Sequence, residues 1–153
     1  NDIIRYWRTM TVDYMYKTTE DSKPWAIRNI KLIFSRKLLY ASGLFAIGET
    51  VDKEKQAKIE LLTELFDLSP IDRLVRICGR EACSPLLTSY DHFLKEMEKP
   101  TIRAHLKCIP SGNREDPIFR SLKDEGQKFT QELLTLFAAT FPSTHMIHWA
   151  VVF

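Results

Sequence analysis

The chain has 153 residues, 44% of them hydrophobic and 27% charged, and its formal net charge is +2. Such a balance is expected of one globular domain with a real core, running from 1 to 153, and argues against disorder. A charge this small demands neither nucleic acid nor an anionic membrane, and without an apolar run of about 18 residues or a basic-then-apolar leader, no membrane span or signal peptide is expected.

An opening at Asn1, without Met and directly in a helical pattern, is what a piece of a longer protein would show. Asn1 or Asp2 can cap a first helix in which Ile3, Trp7, Met10 and Tyr14 recur at helical spacing. Arg5, Arg8 and Asp13 occupy its other face, and Lys17, four residues after Asp13, is placed for a weak ion pair. The polar linker TTEDSK leads through Ser22 or Lys23 to Pro24, a good first-turn residue for the next helix.

That second helix, Pro24 to Gly48, organises the chain. Ile27, Ile30, Phe34, Leu38, Ala41 and Phe45 form one stripe, and Leu32, Ile33, Leu39 and Leu44 place apolar groups on other sides. A helix apolar nearly all round is central and buried. Its charges are uneven, however: Arg28, Lys31, Arg36 and Lys37 lie in the first half, and the next charge is Glu49. One end should therefore be core while the other reaches a polar surface or a partner. Arg28, Lys31 and Ser35 fall within about 60° on a regular helical wheel, and in an antiparallel pairing Arg5 and Arg8 need not meet them.

After ETVDKEKQ, the residues Ile59, Leu62, Leu65 and Phe66 mark a third helix that stops near Leu68. Ser69, Pro70 and Asp72 then combine a cap, a first-turn proline and an acidic third position, starting a short helix that ends at Gly79. Ser84 and Pro85 repeat this start signal for a helix carrying Leu86, Leu87, Tyr90, Phe93, Leu94 and Met97, closed by Pro100. A short piece from Thr101 to Ile109 and the loop PSGNREDP precede the last long helix, begun by Asp116 and Pro117, broken at Gly126 and ended by Pro142. MIHWAVVF has no clear pattern and receives no assignment. The whole reads as an all-α fold, an up-and-down bundle of about five to seven helices.

Motifs that carry chemistry are missing: the sequence has no GxxxxGK, GxGxxG, HExxH, GxSxG or CxxC. Cys78, Cys83 and Cys108, odd in number, fit free and mostly buried thiols and a cytoplasmic location better than a disulfide framework. His145 and His148, with His105 and Cys108 as the other candidates by type, read as ordinary histidines and a thiol rather than a metal site. The carboxylate pairs Asp124 with Glu125 and Glu115 with Asp116 are adjacent in sequence, point apart on a helix, and suit capping or solvation. One constellation remains, the cations Arg5, Arg8, Arg28, Lys31, Arg36 and Lys37, which either frame an apolar helix as ion-paired, snorkelling side chains or face phosphate or the acidic groups of a neighbouring domain.

The pairing of NDIIRYWRTMTVDYMYK with WAIRNIKLIFSRKLLYASGL resembles the helical region that follows the catalytic core in a group of bacterial nucleotidyltransferase-like proteins. The resemblance covers about the first 48 residues. It implies an upstream catalytic domain in which a Gly-Ser turn and an Asp-x-Asp pair bind magnesium and a nucleoside triphosphate, with a helical domain helping to form the acceptor cleft. This chain has no Gly-Ser turn followed by Asp-x-Asp, so no cofactor is expected in it, and the implied role is accessory: substrate binding or interdomain packing. Arg5, Arg8, Arg28, Lys31, Arg36 and Lys37 lie in the matching stretches, with Lys31 and Arg36 first for contact with that domain or a phosphate. The alternative is a free-standing helical module that binds a protein partner or a second copy of itself, and a weaker third reading has the basic cluster binding nucleotide or nucleic acid.

Overall fold

The structure is a computed structural model, and it describes residues 2–19 and 23–151. Among these residues the elements are all helical, with no strand: α1 (Asp2–Thr19), α2 (Trp25–Lys31), a π-helical segment (Leu32–Arg36), α3 (Lys37–Gly48), α4 (Lys55–Asp67), α5 (Pro70–Cys78), α6 (Arg80–Glu98), α7 (Pro100–Cys108), α8 (Pro117–Thr140) and α9 (Ile147–Val151). The all-α expectation holds. No helix of the described residues is long and apolar enough to cross a membrane.

α2, the π-helical segment and α3 form one continuous central helix, with Ile30, Phe34, Leu38 and Phe45 buried as the stripe requires. Phe34 stacks on Phe93 of α6 with ring centroids 4.3 Å apart and leans on Phe129 of α8 at 5.2 Å. Phe45 meets Phe137 and Phe141 in a second aromatic group. Rings at such distances add attraction beyond the area they remove from water. α1 runs antiparallel along the opposite flank, Ile3 against Gly43, Trp7 on Tyr40 at 5.1 Å, and Tyr14 accepting a hydrogen bond from Asn29 at 3.1 Å. None of its residues is fully buried.

Several local expectations hold. The Ser69 hydroxyl accepts from the Asp72 N–H with Pro70 in the first turn, Gly79 ends α5 at φ 85°, and the Asp13–Lys17 pair forms at 2.7 Å. Others need correction. Asn1 and Ser22 lie outside the described residues, and Asp2 sits inside the first turn of α1, paired with Arg5 at 3.2 Å. Pro24 precedes the central helix without a side-chain cap beside it. α6 begins at Arg80, so Pro85 lies inside it and its missing N–H leaves one rung of the helix unmade. Gly126 does not break α8: a side chain there would strike Ile33, so the glycine permits close approach of α8 to the central helix. Gly48 does the same for the ring of Phe141. The closing segment folds back as α9 and buries Ile147.

Arg73 is a buried cation that the sequence did not single out, 4% exposed and without a carboxylate. Its guanidinium donates to the Leu65 and Leu68 carbonyls and to Ser42 Oγ, and lies 4.5 Å from the centre of the Phe66 ring. It thereby gives the carbonyls at the end of α4 a side-chain donor, in addition to the Leu68 N–H that Leu65 already accepts, and ties that helix to α3. Burial lowers its pKa from the ordinary value, and the hydrogen bonds are what keep a charge tolerable there.

Candidate functional site

The π-helical segment decides where the cations go. On a regular α-helix, residues five apart are separated by about 140° around the axis. A turn closed between i and i+5 brings them nearly onto one side. Lys31 and Arg36 are five apart and bracket this segment, and they line one recess together with Arg28 and Leu32. Met10, Asp13 and Tyr14 of α1 form its opposite wall. Ser35, grouped with Arg28 and Lys31 on the regular wheel, instead accepts a hydrogen bond from the Tyr90 hydroxyl of α6.

This α1-side groove is small, about 90 Å³. Its single carboxylate, Asp13, is already taken by Lys17. None of the Arg28, Lys31 and Arg36 side chains has a hydrogen-bond or ion-pair partner among the described residues.

The other three sequence candidates lie elsewhere. Arg5 pairs with Asp2, and with Arg8 it belongs to the end of α1 that runs beside Tyr40 and Gly43. Lys37 crosses to the far flank, where its ammonium donates to Thr130 Oγ1 of α8 at 2.6 Å and burial lowers its pKa. The six cations are thus divided by the helix that carries four of them.

Two adjoining cavities follow the seam between the central helix and α8, the larger of them also walled by Tyr14, Met15, Thr18 and Thr19 of α1. The larger, about 420 Å³, is covered by the 110–116 loop and floored by Trp25 and Phe119; the second, about 360 Å³, lies over Gly126 and Thr130. Ile33 and Lys123 line both. Trp25 Nε1 donates to the Pro110 carbonyl at 2.6 Å and pins the loop in place. Arg114 and Lys123, missed in the sequence, come to this seam through that long-range bond and through the phase of α8, neither of which leaves a local motif.

The histidines have other neighbours. His105 sits 2.7 Å from Asp116, whose second oxygen caps α8 by accepting from the Phe119 N–H, and His148 Nε2 lies 2.9 Å from the Phe141 carbonyl oxygen. No group of three His, Cys, Asp or Glu that could hold a metal occurs among the described residues. Cys83 is buried, Cys78 half-buried and Cys108 exposed, which corrects the expectation of mostly buried thiols for the last. Burial pushes the Cys78 thiol up to about 11, so it is a poor nucleophile near neutral pH.

Comparison of the chain with protein-family models, with curated proteins and with solved structures returns no match.

Proposed function

We propose that the chain is a helical accessory domain of a nucleotidyltransferase-like protein, docking a carboxylate-bearing surface of the catalytic domain into its α1-side groove. The observation that carries this reading is the convergence of Arg28, Lys31 and Arg36 on one recess without matching acids. At about 90 Å³ the recess lies well below the roughly 300–1,000 Å³ of small-molecule pockets and suits the side chains of a neighbouring protein surface. Two of the cations are guanidinium groups, which can take carboxylates through paired hydrogen bonds. Outside the groove, α1 exposes Val12 and Tyr16, apolar surface of the kind protein interfaces cover.

The magnesium and nucleoside triphosphate of such a protein do not fit this groove, because its one carboxylate stands among three cations that would repel the metal. They belong with the Gly-Ser turn and Asp-x-Asp pair of the catalytic domain, and this chain carries no step of the transfer. In the protein that contains both domains, Lys31→Ala and Arg36→Ala should weaken domain association and nucleotide transfer while the far-ultraviolet circular dichroism stays unchanged. Unchanged association and activity in both variants would remove the assignment.

A second reading rests on Met146 and Trp149, which are 63% and 83% exposed at the start and middle of the closing segment. If that segment joins two copies of the chain, sedimentation should show a concentration-dependent dimer that Trp149→Ala abolishes. A monomer at all concentrations would dismiss this reading.

A further inference from the structure

We propose that the seam between the central helix and α8 is a binding site for a small phosphate ester, its phosphates held by Arg114, Lys123 and Lys37 and its organic part seated in the larger cavity. This inference does not rest on the docking role of the α1-side groove, although Tyr14 lines both the groove and the larger cavity. Its first support is charge. Among the described residues, those lining the two cavities include three cations and no acid, in a chain that has 20 acidic side chains and a net charge of only +2. Acids are not scarce elsewhere on the surface: Arg5, Lys17, Arg76, Lys95, Lys99 and Arg120 each have one within 4 Å. Along the seam, Arg114 and Lys123 have none among the described residues, and Lys37 has only the neutral Thr130 hydroxyl. Lys37 and Lys123 are half-buried and Arg114 is exposed, and a bound polyanion would supply the counter-charge that the described residues do not.

The second support is arrangement. Arg114 lines the larger cavity, Lys37 the smaller, and Lys123 stands where the two adjoin, so the cations are strung along the seam as a chain of phosphates is strung along a ligand. Lys37 keeps two ammonium protons beyond the one given to Thr130, and Ser111 and Asn29 bring neutral donors to the larger cavity. At about 420 Å³ that cavity falls within the usual size of small-molecule sites, roughly 300–1,000 Å³, and its Trp25 and Phe119 floor suits a ring. The α1-side groove offers cations but no such volume.

The test is calorimetric titration of the protein at low salt with ATP, inorganic tripolyphosphate and adenosine, without added metal. The expected result is one saturable site for ATP and tripolyphosphate, no binding of adenosine, and at least a tenfold loss of ATP affinity in Lys123→Gln and in Arg114→Gln. Arg114 is exposed and Lys123 half-buried, and neither has a hydrogen-bonding side-chain partner among the described residues, so these variants should keep the parent's thermal midpoint. Lys31→Ala, which changes only the α1-side groove, should bind ATP as the parent does. The proposal is overturned if neither phosphate compound binds, if adenosine binds as tightly as ATP, or if Lys31→Ala weakens ATP as much as Lys123→Gln does.

Discussion

On one flank the central helix buries Phe34 completely, stacked on Phe93 and touching Phe129; on the other it meets α1, a helix of 18 residues of which none is fully buried. Both flanks follow from the same sequence pattern, since the helix is apolar nearly all round, yet only one buries large aromatic side chains from its neighbours. Interior packing stabilises in proportion to the atoms removed from water and the voids left unfilled. The α6 and α8 flank therefore holds the fold together, and the α1 flank is a partly wet contact with polar side chains along its border. A surface of the second kind can accept a partner at little cost to the core.

The strongest way to break this comparison is to truncate one ring on each flank. Phe34→Ala should cost about 3–5 kcal/mol in urea unfolding, the usual range for a buried phenylalanine. Trp7→Ala, half-buried against Tyr40, should cost clearly less, and equal losses would mean that α1 is as much a part of the core as α6 and α8. Next in size is Gly126→Val, which drives two methyl groups towards Ile33 and Phe34; overpacking of this kind costs about 1–3 kcal/mol, seen as a lower midpoint in thermal unfolding. A neutral effect would show that α8 does not need to approach the π-helical segment closely.

The smallest effect lies at the start of α8. The Phe119 N–H, and after it His105, hold the Asp116 carboxyl below its ordinary value of 3.8. A depressed folded value stabilises above the unfolded value and loses that contribution as pH falls through the folded one. Asp116→Asn should therefore be less stable than the parent at neutral pH, with the difference shrinking below about pH 4. A difference that is constant from pH 7 to pH 3 would assign the effect to shape alone.

The rods of the fold were legible because their signals are local. Ser69 with Pro70, Asp116 with Pro117, Gly79 and the stripe from Ile27 to Phe45 each act within one or two turns of chain. Pro85 misled because a start signal can be overridden when Cys83 and Leu86 are wanted on one buried face of a longer helix. The candidate site was legible in its residue types and not in its geometry. A regular wheel groups Ser35 with Arg28 and Lys31, whereas the π-helical segment replaces it with Arg36 and leaves Lys37 to α8. Nothing in LIFSR announces that change of period, which accompanies the close approach to Gly126. Arg114 and Lys123 escaped notice for a related reason, since the Trp25 to Pro110 bond that brings the loop to the seam joins residues 85 positions apart.

That the central helix separates a deeply packed flank from a shallowly packed one is tested most directly by native-state amide hydrogen exchange. The amides of α1 should exchange through an opening of much lower free energy than global unfolding, while those of α3 and α8 exchange only with the whole molecule. Protection of α1 at the global level, equal to that of α8, would contradict it.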